Sequence, residues 1–118
     1  MFTFINKLFK KEKLDTDKFV NVIANFKFID ADAKDGFVEI LKGPEGLVKT
    51  RAFNGCLNIS CFNDLDNSNN LIIYQKWKSK EDHQSYLNWR KESGMIDQLA
   101  PTLTEPLVPI YLNSLPSL

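Results

Sequence analysis

The stretch YQKWKSKEDHQSYLNWRKESG, Tyr74 to Gly94, holds the chain's single histidine, both tryptophans and two of its three tyrosines. Read as a helix from Ser79 to Ser93, it brings His83, Tyr86, Leu87 and Arg90 into one arc at i, i+3, i+4 and i+7. Trp89 lies just beyond Tyr86. A histidine on such a face can take up a proton near neutral pH, and an arginine can hold an anion. Tyrosine and tryptophan can enclose a flat ring. His83, Arg90 and Tyr86 are thus the candidate catalytic residues, with Trp77 and Trp89 as candidate walls of a binding site. The competing reading is structural: amphipathic helices turn their aromatics inward, and a histidine in a first turn is often simply solvated. A second polar feature stands upstream. Asn21 and Asn25 share the mixed face of an otherwise apolar run; asparagine is depleted in strands, and a buried amide needs partners. They are candidate substrate-binding residues, against the alternative of an edge or solvent-facing position.

Other chemistries lack their residues. No Gly-rich phosphate loop, GxSxG elbow, paired-carboxylate motif or Walker sequence is present. Cys56 and Cys61 lie five apart in what reads as a strand, an odd spacing that predicts opposite faces and a separation of roughly 17 Å. That excludes a bridge between them. With one histidine and no CxxC pair, no metal site is expected. Fifteen basic and fifteen acidic residues cancel, so the broad positive field of a nucleic-acid binder is missing, and no nucleic-acid partner is expected.

These residues need a scaffold, and 118 residues suffice for one domain. Apolar residues make up 43% and charged residues 25%, and nine phenylalanines supply large buried area. Residues 1–17 form an amphipathic arm, with Phe2, Ile5, Leu8 and Phe9 at helical spacing among lysines. Such an arm packs on its own domain or on a partner subunit; contact with a membrane surface is the alternative. No run is long enough to span a bilayer, and the arm is a poor signal peptide. A cytoplasmic location follows.

Residues 18–118 form the domain. KFVNVIANFKFI reads as a first strand, with Val20, Val22, Ala24, Phe26 and Phe28 on one face, and both faces are expected to be covered. Asp30 to Leu41 reads as a helix interrupted by Gly43-Pro44, and Glu45 to Ala52 as a further turn or two. CLNISCF and LIIYQKW are the second and third strands around the polar loop DLDNSNN. Ser79 caps the helix already described, Gly94 stops it, MIDQLAPTL adds a short helical piece, and EPLVPIYL closes as a proline-bearing edge strand. The order β-α-β-β-α-β is the ferredoxin-like arrangement, α+β with an antiparallel sheet and both helices on one face.

The segment from Lys18 to Leu112 resembles the antibiotic biosynthesis monooxygenase domain family. The resemblance rests on Gly55-Cys56 before the second strand, the Asp-rich loop Asp64 to Asn70, Tyr74 to Trp77 ending the third strand, the helix start Ser79-Lys80-Glu81, and YLNWRKESG beyond it. It implies a homodimer in which two sheets form a dimeric α+β barrel, each subunit holding a pocket between sheet and helices. It also implies oxygenation of a small aromatic substrate, a quinol or polycyclic aromatic, by O₂ with no cofactor, the substrate supplying the electrons. Against the haem-degrading branch, Asn25 fits its first-strand asparagine and Tyr86 stands at its tryptophan. Ile96, however, stands where its iron-ligating histidine belongs, so haem degradation is not expected. The fold also hosts isomerases and non-catalytic dimeric ligand-binding or regulatory proteins, and these are the alternatives.

Overall fold

The structure, a computed structural model, describes residues 19–118; the expected arm lies outside them. Strand β1, Val20–Lys27, alternates a buried set (Val22, Ala24, Phe26, continued by Phe28) with the set Asn21, Ile23, Asn25 and Lys27. Helix α1, Ala31–Lys42, starts where the Asp30 carboxylate accepts from the Ala33 amide at 2.8 Å, and stops at Gly43. A single turn and a half, α2 (Leu47–Ala52), follows Gly46.

Gly55, at φ 93°, makes the turn into β2, Cys56–Asn63. Strand β3, Asn70–Trp77, leads to Ser79, whose hydroxyl accepts from the Asp82 amide at 3.0 Å and caps α3, Lys80–Glu92. Gly94, at φ 84°, breaks that helix and opens α4, Met95–Leu99, which runs into a 3₁₀ turn over Ala100–Thr102.

The four strands form one open antiparallel sheet in the order β2-β3-β1-β4, the ferredoxin-like arrangement expected from the sequence. The helices cover one face. Phe26, Phe28 and Phe37 form an aromatic cluster under α1, with ring centroids 5.1 to 6.2 Å apart. Val22, Trp77 and Tyr86 form a second core under α3.

Two expectations need correction. The last strand is only Ile110–Leu112, because Pro106 and Pro109 carry no N–H to donate to a ladder. The stretch before it is fastened to the end of β1 by Ile29 N–H to Thr102 O (2.9 Å) and Thr104 N–H to Lys27 O (2.8 Å), around a bridge between Phe28 and Leu103.

The second correction concerns β2. Cys56 pairs with Trp77, but Asn58 pairs with Lys76, so a β-bulge absorbs Leu57. Beyond it Ile59 faces Gln75 and Cys61 faces Ile73. Both cysteines are therefore on the helix-covered side of the sheet, and the odd spacing that placed them on opposite faces is undone by one extra residue. Both are free thiols.

Among the described residues nothing covers the face of the sheet away from the helices. Ile23, Ile72 and Tyr74 are half-buried there, and Phe62, Ile110 and Leu112 are exposed. The Tyr74 hydroxyl donates to Asn21 Oδ1 at 2.6 Å on this face.

Candidate active site

Between the covered face of the sheet and α3 lies a cavity of about 470 Å³. Phe26, Ile59, Ile73, Leu87, Leu99 and Leu103 supply its apolar surface, and the stretch from Met95 to Pro109 closes one side. Seven polar side chains interrupt this lining: Thr50, Gln75, His83, Tyr86 and Arg90, with Thr104 and Glu105 on the closing stretch.

The helical phase sets three of them. In α3 the inward residues are His83, Tyr86 and Arg90, all buried, as the arc predicts. His83 is 1% exposed, with its ring edge-on to Trp77 and to Tyr111 (centroids 5.4 Å from each). Nδ1 lies 2.8 Å from the Tyr111 hydroxyl. Burial lowers the imidazole pKa from 6.5 to about 4, so the ring is neutral at neutral pH. Burial raises the Tyr111 phenol, which keeps its proton there. Nε2 makes no hydrogen bond among the described residues. No enclosed side-chain nitrogen or oxygen among them is left without a partner, so Nε2 opens on the cavity.

Arg90 is 5% exposed and mostly occupied. Its Nη1 donates to the Glu45 carbonyl at 2.7 Å, and Nη2 to the Gly46 carbonyl at 2.9 Å and to Thr50 Oγ1 at 3.1 Å. Nε donates to the Tyr86 hydroxyl at 2.9 Å. The guanidinium stacks near Trp89, 4.6 Å from the ring centroid. It makes no ion pair among the described residues, so its charge is solvated by neutral dipoles alone.

Thr50 Oγ1 and Tyr86 Oη are 2.7 Å apart. Arginine only donates, and two hydroxyls sharing one hydrogen bond leave the second hydroxyl hydrogen without an acceptor in this triangle. The pair therefore retains one O–H for whatever occupies the cavity.

The remaining candidates divide. Trp77 does not line the cavity itself; it is fully buried behind the lining, where its ring meets His83. Trp89 does not line the cavity; it faces an outer groove between α1 and α3, together with Asp32, Phe37 and Met95. Asn21 and Asn25 are not brought to the site either. They stand in the other phase of β1, on the uncovered face, where Asn25 is exposed. The grouping of Asn25 with His83 is corrected by the pleat: the β1 residue that lines the cavity is Ala24.

Three site residues were not singled out in the sequence: Gln75, Thr50 and Tyr111. Gln75 did leave a signal, as the lone polar residue on the face Leu71, Ile73, Gln75, Trp77. It is 6% exposed, and its Oε1 accepts from the Trp77 indole N–H at 2.8 Å. Elsewhere, burial raises the Cys56 and Cys61 thiols, a shift that Arg51 partly offsets. Among the described residues no group of three or more His, Cys, Asp or Glu side chains could hold a metal ion, and no helix is long and apolar enough to cross a membrane.

Comparison with known proteins matches residues 19–91 to a family model described as antibiotic biosynthesis monooxygenase. A conserved protein from Methanosarcina mazei Go1 superposes with a TM-score of 0.71 at 14% identity, over 86% of this chain and 97% of that one. Rv0793 from Mycobacterium tuberculosis gives 0.63 at 25% identity, over 82% and 95%. The ActVA-Orf6 monooxygenase of Streptomyces coelicolor, solved with the ligand nanaomycin D, gives 0.64 at 17% identity, over 82% and 87%. No curated protein matches the sequence.

Proposed function

The chain belongs to the antibiotic biosynthesis monooxygenase family, and from that premise we propose that it oxygenates a quinol or polycyclic aromatic substrate with O₂, without a cofactor. The observation that carries this reading is the buried, neutral His83, whose Nε2 opens on a largely apolar cavity beside Arg90. Among the described residues Nε2 has no hydrogen-bond partner and the Arg90 charge no ion pair. A cavity of about 470 Å³ suits a two- or three-ring aromatic. ActVA-Orf6, of the same fold, was solved with nanaomycin D.

In this reading the substrate supplies the electrons. Its carbon acid or hydroxyl gives a proton to His83 Nε2, and Nδ1–H then donates to the Tyr111 hydroxyl. A base with a pKa near 4 is weak for this task. The proton moves only because the anion forms beside a cationic guanidinium in a site that excludes water. The anion passes one electron to O₂, and the two radicals join as a C–OO⁻ adduct that takes up the proton. For an anthrone-type CH₂ the hydroperoxide then loses water, leaving C=O: one oxygen atom enters the product and the other leaves as water.

The family premise extends to assembly. We read the uncovered face, with Ile23, Phe62, Ile72, Tyr74, Ile110 and Leu112, as the surface on which a second copy packs. Two sheets so joined make the dimeric α+β barrel. The free thiols accord with a reducing, cytoplasmic setting.

One observation favours a second reading. Four of the five Arg90 N–H groups are spent on the protein's own oxygens. A non-catalytic ligand-binding protein needs no more than that. Oxygen uptake by metal-stripped protein against hydroquinones and anthrones, with His83→Ala alongside, separates the two. Uptake above autoxidation that is lost in the variant supports the oxygenase, and none in the wild type leaves the binding protein.

A further inference from the structure

The Gln75 side chain is the one polar group in the middle of the covered sheet face. It sits between Ile73 and Trp77 along β3, across from Val22 on β1 and Ile59 on β2. Its orientation is fixed by chemistry. The Trp77 indole nitrogen can only donate, so the carboxamide atom 2.8 Å from it is the oxygen. The NH₂ group therefore points the other way. It makes no hydrogen bond among the described residues, yet it is not an enclosed orphan, because the cavity that Gln75 lines gives it room. Among the described residues, two N–H donors of this buried residue are thus presented to the cavity alone.

We propose that Gln75 holds an oxygen acceptor of the ligand, a ring carbonyl or phenolate, by donating from Nε2. On the oxygenase reading, on which this inference rests for its catalytic part, that oxygen is the one on which charge develops. Removing a proton from the CH₂ of an anthrone moves the electron pair through the ring to the carbonyl oxygen across from it, which becomes an enolate. Trp77, buried behind the cavity lining, organises this. Its N–H holds the Gln75 oxygen, and its ring meets His83 edge-on. An acceptor oxygen at Gln75 and a proton donor at His83 Nε2 are the two ends of one substrate, and the flat apolar body lies between Ile73, Phe26 and Leu87. The cavity would therefore select aromatics with a carbonyl or phenolic oxygen over the bare hydrocarbon of the same shape.

The test uses the full chain and two probes of nearly the same shape, anthrone and 9,10-dihydroanthracene, the second lacking the oxygen. Binding is followed anaerobically by tryptophan fluorescence, and turnover of anthrone is followed in air. Gln75→Glu at pH 8 keeps an acceptor for the Trp77 N–H and removes the NH₂ donors; Gln75→Met removes both. The wild type should prefer anthrone about tenfold. Both variants should lose that preference, and their anthrone turnover should fall about 100-fold, the usual cost of one oxyanion donor. A purely structural role for Gln75 would leave Gln75→Glu like the wild type, and that result overturns the inference while leaving the oxygenase reading intact. A wild type that discriminates by Gln75 but oxidises nothing sinks the oxygenase reading and keeps the inference. Binding of neither probe by the wild type overturns the inference.

Discussion

Arg90 Nη2 lies 2.9 Å from the carbonyl oxygen of Gly46, and Nη1 of the same guanidinium lies 2.7 Å from that of Glu45. A cation from the end of α3 thus fastens the loop that starts α2. That short helix delivers Thr50 to the cavity. The arginine that the sequence offers as an anion holder is first of all the tie between two walls of the site.

Arg90→Ala leaves the buried Gly46 carbonyl, the partly buried Glu45 carbonyl and two hydroxyls short of a donor. It should cost about 3 kcal/mol or more, at roughly 1 to 3 kcal/mol per stranded group, and Tyr86→Phe about 1 to 2 kcal/mol. Because the two share one network, the double variant should cost measurably less than the sum. Urea unfolding of the four proteins checks this, and simple additivity would mean the network is not coupled.

Gly46→Ala acts on the same loop from the other side. A Cβ at Gly46 would run into the backbone carbonyls of Ile40 and Leu41, and backbone cannot swing aside. The expected loss is about 1 to 3 kcal/mol, read as a lower denaturation midpoint. Gly36→Ala, with open space around its would-be Cβ, is the control that should not lose stability.

His83 makes stability depend on pH in a defined direction. The folded imidazole has a pKa of about 4 against 6.5 for the free side chain. Between those values the unfolded chain binds a proton that the folded chain refuses, so stability falls as the pH falls. The contribution is complete above pH 6.5 and lost towards pH 4, about 3 kcal/mol in all, at 1.36 kcal/mol per pKa unit. His83→Phe should remove this slope from a series of denaturation midpoints taken between pH 4 and 7. Parallel curves for the two proteins would show that His83 is not its source.

Ile72→Lys places a charge in the middle of the uncovered sheet face, opposite Asn25 on β1 and Phe62 on β2. If two copies pack there, the variant should sediment as a single chain while keeping its circular dichroism. A wild type that is already a single chain at micromolar concentration would end that assignment.

The site was legible in the sequence wherever one element's own period decided it. His83, Tyr86 and Arg90 face inward because α3 is regular from its Ser79 cap onward, and both the cap and the spacing are local. What depends on neighbours was not legible. Asn21 and Asn25 sit on a readable alternation, but nothing in β1 says which of its faces the helices cover. The bulge at Leu57, which carries Cys56 and Cys61 to one side, appears only when β2 is set against β3. Gln75 looked like one polar interruption of a strand face; its meaning needs the Trp77 N–H that orients it. Tyr111 reaches His83 from the far end of the chain, across 28 positions.

The stretch that closes the cavity carries its own reporter. It is held to β1 by the Ile29 and Thr104 amides, with an exposed Lys27–Glu105 pair at 2.7 Å that adds little. Pro106 and Pro109 contribute no amides at all. Opening this side costs two backbone hydrogen bonds and the burial of Leu103, far less than unfolding the sheet, so these amides exchange with solvent deuterium by a local route. A molecule lodged beneath them must be released before they open. Slowed exchange at Ile29 and Thr104 would therefore register an occupant of the cavity, including one that is bound and never transformed.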